Sequence, residues 1–438
     1  MKTLFLLATI SIITHIPFFG QPSAVVFDEV YMGSFVSSYE SGKYYFDIHP
    51  PFAKLVTKFF GDIVGVPYNV DFGTIGNALP SDIIILRLLP LIAGILLPLV
   101  IYGICRKLNF SKLLSFTAGA LLCLENSLVI QSRFILFDSW LLLCGFSAVL
   151  LYLFYIKNES KKSLLVLSAL LASCAFSIKW TGLAFPLLIM IAELVRTRYI
   201  VKVLKFFAVY AIIGLAFYMS IFAIHFAYLT HSGPGDPFMT DRFQKTLIGS
   251  QYENSDLVPK GFFGKFIELN VEMYEANKTL TATHSYSSPW YSWPLMTRSV
   301  FYWQGVQTEE GSSYIYLLGN PLIYLLGTLS ILLLAWQALI KKDRNKVLLF
   351  ILTGFLVNFL PFMFIGRVMF LYHYEAALIF SIIALCYVIQ HHIHHKVITI
   401  YIFLMLSLTL FIFFSPLTYG RNLTDGELSA RMWLKGWR

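Results

Sequence analysis

Charge is scarce in this chain. Of its 438 residues only 13% are Asp, Glu, Lys or Arg, against 57% hydrophobic, and a soluble protein carries roughly twice that charged share. A mean hydropathy of +0.70 agrees. Soluble enzymes, fibrous proteins and disordered chains are excluded on composition alone. Cysteine is sparse too: Cys105, Cys123, Cys144, Cys174 and Cys386 all lie inside or at the edge of apolar runs. None sits in a long loop and no CxxC spacing occurs, so no disulfide framework or thiolate metal site is expected. No internal repeat or low-complexity tract is apparent in the sequence.

What the chain has instead is long apolar sequence. A helix needs about 20 mostly apolar residues to cross the hydrocarbon core. Such windows lie near 3–20, 83–105, 113–131, 135–156, 163–178, 182–195, 203–229, 314–338, 347–365, 369–390 and 397–415. The expected fold is an all-α integral membrane protein, a polytopic helical bundle of about 11 transmembrane helices formed as a single membrane domain over 1–438. The 163–178 and 182–195 windows are short and should borrow polar residues at their ends. Residues 1–19 resemble a signal peptide in hydropathy but lack a small-x-small cleavage site, so they are read as a retained first helix.

The net charge of +9 sits in short clusters between apolar runs, the pattern that sets membrane orientation and not one that implies nucleic acid. Lys2, the turns at Arg106–Lys112, Lys157–Lys162, Arg196–Lys205 (with Arg198) and Lys341–Lys346, and Lys396 fall on one side. The short turns of the other side hold only Arg133, Lys179 and Arg367. The N-terminus is therefore expected in the cytoplasm and the C-terminus outside, in a multi-pass protein of the cell membrane. The non-membrane mass, 21–82, 230–313 and a tail at 416–438, then lies on the extracytoplasmic side, and the active site is expected there.

Residues able to carry chemistry gather in those segments. Asp28 and Glu29 are adjacent acids at a membrane surface, costly unless used or paired; as i, i+1 neighbours they point apart and cannot share one role. In Asp47-Ile48-His49-Pro50-Pro51-Phe52-Ala53-Lys54 the proline pair fixes a turn from which a helix can start, with Lys54 near its N-terminus, where a phosphate can dock. Arg87, Arg133 with Asp138, and Lys179 stand at outer ends of spans. Each alone reads equally well as an interfacial residue reaching for water; together they bring cations and carboxylates to one face, as a lipid-linked phosphate would require. The run Thr283 to Pro294 supplies His284, Tyr286, Trp290 and Trp293, flat surfaces and donors suited to a sugar, although a headgroup-level aromatic belt has the same composition. His373 follows Arg367 at the tenth window. The His391–His395 run sits on the cytoplasmic side and is read as a solvated turn.

Taken together and in this order, Phe27-Asp28-Glu29-Val30, Tyr44-Tyr45-Phe46-Asp47-Ile48-His49-Pro50-Pro51-Phe52-Ala53-Lys54, Ser132-Arg133-Phe134-Ile135-Leu136-Phe137-Asp138, Ile178-Lys179-Trp180-Thr181-Gly182, His284-Ser285-Tyr286-Ser287-Ser288-Pro289-Trp290-Tyr291-Ser292-Trp293-Pro294 and Tyr372-His373-Tyr374 resemble the protein O-mannosyltransferases. These are polytopic glycosyltransferases of the GT-C class that use a polyprenyl-phosphate mannose. The resemblance runs from the first loop to the tenth window. The 230–313 interval lacks the strand pattern of the β-trefoil (MIR) domain found in eukaryotic members and looks like the compact prokaryotic form.

The resemblance implies transfer of mannose to Ser/Thr hydroxyls of secreted or membrane proteins, with inversion; the alternative is a GT-C transferase modifying a glycolipid or wall polymer. A transporter is disfavoured, because transporters keep polar sites near the midplane, often within repeats. By the family's pattern Asp28 is the base and Glu29 orients neighbours. Arg87, with Arg133 or Lys179, and with Lys54 and His49 nearby, would hold the phosphate in place of a metal. Asp138, His284, Tyr286, Trp290, Trp293 and His373 would meet sugar or acceptor. No metal and no cofactor other than the lipid-linked donor is expected, and dimerisation is a property of the eukaryotic members.

Overall fold

The computed structural model describes residues 2–67, 70–197, 199–279 and 283–438; Arg198, used above for orientation, lies outside them. Every apolar window contains a helix. α1 (Lys2–His15) is followed by two loop helices, α2 (Glu29–Ser41) and α3 (Phe52–Val64), and then by α4 (Leu88–Lys107), α5 (Lys112–Cys123), α6 (Asn126–Gln131), α7 (Asp138–Tyr155), α8 (Lys162–Ile178), α9 (Ala184–Arg196) and α10 (Ile200–Tyr228). A second loop carries α11 (Phe262–Thr279), and the bundle closes with α12 (Pro321–Leu339), α13 (Lys346–Phe359), α14 (Glu375–His392) and α15 (Lys396–Tyr419). Among the described residues 7 helical stretches are long and apolar enough to cross a membrane on their own, and α1, α5 and α8 are shorter apolar helices. The chain is a multi-pass membrane protein, 68% helical.

α14 is the most enclosed of the long helices and packs against α5, α12 and α13. α10, largely apolar on all sides beyond Lys205, lies at the rim against α8, with Ile212 and Leu215 exposed; such a helix needs lipid for a solvent. Helix starts follow local chemistry. Ser111 accepts from the Leu114 N–H, Asn345 from those of Val347 and Leu348, and Asn320 from that of Leu322, where Pro321 has no N–H to lose.

Three boundaries depart from the sequence reading. The 113–131 window breaks between α5 and α6 at Glu125. Its buried carboxylate accepts from the Ser127 N–H and hydroxyl and from the Asn320 N–H at 3.0 and 3.1 Å, so one acid caps α6 and reaches the start of α12. The 314–338 window starts too early: Ser312–Leu317 forms a strand (β2) paired antiparallel with Val300–Gln304 (β1), Val300 opposite Leu317. The expected tail begins at Gly420, since α15 runs to Tyr419; from there Asn422–Leu423 (β3) adds to β2. The fold is thus helical with one small three-stranded sheet in its loops.

The loops knit together at one end. Tyr44 donates its N–H to the His231 carbonyl at 2.8 Å, and Gly233 lies so close to the Tyr44 backbone that a Cβ would collide with it. Trp437 of the tail donates its indole N–H to the Met296 carbonyl at 2.6 Å. α3 is amphipathic, burying Lys54, Thr57 and Lys58 and exposing Phe59 and Ile63, as expected of an interfacial helix.

Candidate active site

Asp28 and Glu29 open α2 and are sent to different places by one turn of backbone. Glu29 is fully buried, and Arg87 donates from Nε to its Oε1 at 2.8 Å and from Nη2 to its Oε2 at 2.7 Å. The Val26 and Ile135 N–H groups also donate to it, at 2.9 and 2.8 Å. The remaining Arg87 donors serve the carbonyls of Gly20, Pro22 and Ala24 at 3.3, 2.7 and 2.7 Å. No donor is left for a phosphate, so the phosphate role expected of Arg87 is corrected to a clasp holding the first loop on α4. Glu29 is likewise no proton carrier for a substrate: it is saturated and closed off.

Arg133 is corrected too: its Nε is unpartnered, but the residue does not line the cavity described below and its Nη donors are spent on backbone. Its guanidinium, 3% exposed, donates to the His15, Pro17 and Phe18 carbonyls at 3.1, 2.8 and 2.7 Å and lies 4.8 Å from the Tyr419 ring centroid. It caps the end of α1, a place where a cation is favoured. Lys54 folds back on Asp47 and on the His49 carbonyl and is 2% exposed; it orders the turn before α3 and does not face the cavity described next.

That cavity, of about 930 Å³, lies between α7, α9, the end of α13 and the start of α14. Its polar wall contains His49, Asp138, Lys179, Arg367, Tyr372 and His373; its apolar wall runs out to the exposed Leu183, Leu187 and Phe364. Lys179 donates to both Asp138 oxygens, at 2.7 and 2.8 Å, and sits 5.3 Å from the Tyr372 ring centroid. Arg367 has no carboxylate partner among the described residues: its Nε is unpartnered and Nη1 makes only a 3.4 Å bond to the Val368 carbonyl. Burial lowers its pKa, opposed by Tyr372 and Asp28, and a guanidinium so placed still stays charged. The sequence reading noted Arg367 as one of three cations in short outer turns but assigned it no role; that isolation was the available signal.

Asp28, half-buried, is not itself in the lining of this cavity but is close enough to Lys179, Asp138 and Arg367 of its wall for their charges to act on it. Burial pushes its carboxyl up to about 6, opposed by Lys179 and Arg367 and reinforced by Asp138 and Asp47. Its position is set by Phe27, which adopts a left-handed φ of 46°. A bulky residue holds that conformation only when its surroundings enforce it. Here β1 does so: the Phe27 N–H donates to the Tyr302 carbonyl at 3.2 Å and the two rings stack at 4.2 Å. The Tyr302 hydroxyl donates in turn to Gln131 Oε1 at 3.0 Å. His49 is held well below the usual imidazole range, by burial first and then by Lys179 and Arg367, so it offers a neutral ring.

The aromatic candidates divide. His373 lines the cavity, with Nδ1 engaged by the Phe370 backbone. Trp293, 1% exposed, stacks behind it at 5.8 Å and donates to the Ser288 hydroxyl at 3.0 Å; its expected sugar contact is corrected to support of the His373 ring. Trp290 packs edge-on against Phe359 at 5.0 Å, away from the cavity wall. His284 and Tyr286 lie outside, His284 edge-on to Phe370 at 5.0 Å, and Phe370 meets Phe27 at 6.0 Å. An aromatic path therefore leads from the surface to the residue before Asp28.

Comparison with known proteins adds to this geometry. Residues 3–230 match the family model described as dolichyl-phosphate-mannose-protein mannosyltransferase. Residues 262–437 match that of the C-terminal four TMM region of protein-O-mannosyltransferase. The chain is 33% identical over 272 residues to dolichyl-phosphate-mannose–protein mannosyltransferase 4 of Candida albicans, covering 57% of this chain and 36% of that one. It is 30% identical over 265 residues to protein O-mannosyl-transferase 1 of Rattus norvegicus, covering 56% and 36%. It thus matches only about a third of the length of these relatives. The fold is similar to the S. cerevisiae protein O-mannosyltransferase Pmt1-Pmt2 complex bound to the sugar donor (TM-score 0.89, 20% identity, covering 100% of this chain and 92% of that one). It is more distantly similar to ArnT from Cupriavidus metallidurans bound to undecaprenyl phosphate (TM-score 0.54, 14% identity, covering 88% and 60%).

Proposed function

The chain belongs to the dolichyl-phosphate-mannose-protein mannosyltransferase family, and from that premise we propose that it transfers mannose from a polyprenyl-phosphate donor to Ser/Thr hydroxyls of proteins at the extracytoplasmic membrane face. The observation that carries this is the pairing of a base with a phosphate-sized charge: Asp28, raised to about 6, beside a cavity in which Arg367 has no carboxylate partner.

A sugar on a phosphodiester has a good leaving group, and the departing phosphate needs fixed positive charge. Arg367 and Lys179 supply it, while the apolar wall at Leu183, Leu187 and Phe364 suits the polyprenyl chain. The acceptor hydroxyl attacks C1, its proton goes to Asp28, and the C1–O bond breaks to leave polyprenyl phosphate. Attack from the face opposite the phosphate inverts the anomeric centre, and one base suffices. His284 and Tyr286 lie where an acceptor peptide would approach.

Purified protein given polyprenyl-phosphate mannose and a Ser/Thr-rich peptide should form mannosyl-peptide. Donor consumption without mannosyl-peptide would move the acceptor to a glycolipid or polymer. Arg367→Ala should raise the donor KM by roughly 10- to 100-fold, the size of a charge-assisted bond, with Arg367→Lys recovering part; an unchanged donor-concentration curve would remove Arg367 from the phosphate. The rate should also follow Asp28 ionisation. Above about pH 6 the base is free to accept a proton; as pH falls through that value it is already protonated and kcat/KM drops. A pH profile flat between 5 and 8 would contradict this assignment.

A further inference from the structure

Glu375, at the first position of α14, is 2% exposed, and neither of its carboxylate oxygens has a hydrogen-bond partner. Buried carboxylates are normally satisfied, because desolvating an unpaired one is costly. Other carboxylates of the chain obey the rule: Glu29 is held by Arg87, Asp138 by Lys179, Asp47 by Lys54 and Glu125 by Ser127 and Asn320. Among the described residues no other buried carboxylate leaves both oxygens free. Glu375 also lines the cavity, and Asp138 and Lys179 are the charged groups of that wall that act on it.

We infer that Glu375 is a specificity-determining residue, accepting hydrogen bonds from two adjacent ring hydroxyls of the transferred sugar. This rests on the donor reading above. With no ion pair or hydrogen bond of its own, the carboxyl group is satisfied by a partner that brings O–H or N–H donors, which a phosphate does not. Two free acceptor oxygens on one planar group match a vicinal diol, which mannose carries on the ring carbons away from C1. The cations that suit the phosphate, Arg367 and Lys179, belong to the same wall, so one sugar-phosphate can meet both. The competing occupant is water: a second void of about 10 Å³ touches Glu375, His15, Gln131 and Ser139, room for a single molecule at most.

Binding to the protein in lipid nanodiscs separates these, using polyprenyl phosphate, polyprenyl-phosphate mannose, and its 2-, 3- and 4-deoxy analogues. Wild type should bind the mannosyl lipid roughly 10- to 100-fold more tightly than a deoxy analogue lacking one of the two recognised hydroxyls. Glu375→Ala should erase that preference, Glu375→Gln should keep part of it, and all three proteins should bind plain polyprenyl phosphate alike. If the variants discriminate as wild type does, or gain only thermal stability, the partner is water and the inference is wrong. Equal binding of all sugar lipids by wild type would overturn it too, while leaving the donor reading in place. Failure of polyprenyl phosphate itself to bind would count against the donor reading and this inference together.

Discussion

Asp28→Asn should lower kcat for mannosyl transfer by about 10²–10⁴, the usual contribution of a positioned general base, with donor affinity unchanged. The substitution keeps size and polarity but removes a carboxylate that stands beside the cavity with no ion pair among the described residues. Asp138 cannot replace it, because Lys179 occupies both its oxygens. Asp47 cannot either, being paired with Lys54. Glu29 is sealed under Arg87. Single-turnover kinetics with donor pre-bound would isolate the step. If Asp28→Asn turned over at the wild-type rate, the base would lie elsewhere. Loss of donor binding along with transfer would make Asp28 a structural residue.

Arg87→Ala should unfold or deplete the protein before any catalytic effect can be read. It leaves Glu29 buried with only two backbone N–H donors and strips partners from the Gly20, Pro22 and Ala24 carbonyls. Breaking a buried pair by removing one partner costs about 3–5 kcal/mol, a large share of the stability of an ordinary domain. Removing both charges, as Glu29→Gln with Arg87→Met, should recover part of that loss, since the uncompensated acid is gone. The check is the yield and thermal unfolding of detergent-solubilised protein for the single and double variants. A stable Arg87→Ala protein with only a raised donor KM would instead return Arg87 to the phosphate.

The contrast between Arg87 and Arg367 marks how far the sequence could be read. Both are arginines beside an apolar run, and nothing local separates them. Arg87 is defined by Glu29, 58 residues away, and by backbone carbonyls that converge only when the first loop folds over α4. Arg367 is defined by a lack of partners, which no sequence displays. The same holds for Glu375 and for Trp293, whose aromatic character was plain but whose burial behind His373 was not. What was legible followed short-range physics. Apolar windows of about 20 residues gave the helices, and the charge count put Arg133, Lys179 and Arg367 in short turns of one side without separating the last from the first. The windows blurred where long-range pairing intervened: the end of β2, 314–317, runs into the apolar helix after it, and its strand character appears only because β1 lies alongside. Glu125 was invisible as a break, because its cost is met by Asn320, far along the chain. Phe27 gave no hint of its left-handed backbone, which Tyr302 enforces from the second loop.

The central claim, that one cavity brings the phosphate of the donor to Arg367 and Lys179 and its anomeric carbon to Asp28, is open to direct inspection. The measurement is a structure of the protein in nanodiscs with a non-hydrolysable phosphonate analogue of polyprenyl-phosphate mannose. The phosphonate is expected within hydrogen-bonding distance of Arg367 and Lys179, C1 facing Asp28, and the polyprenyl chain leaving along Leu183, Leu187 and Phe364. A phosphonate seated on Arg87 or Arg133, or a sugar ring remote from Asp28, would contradict it.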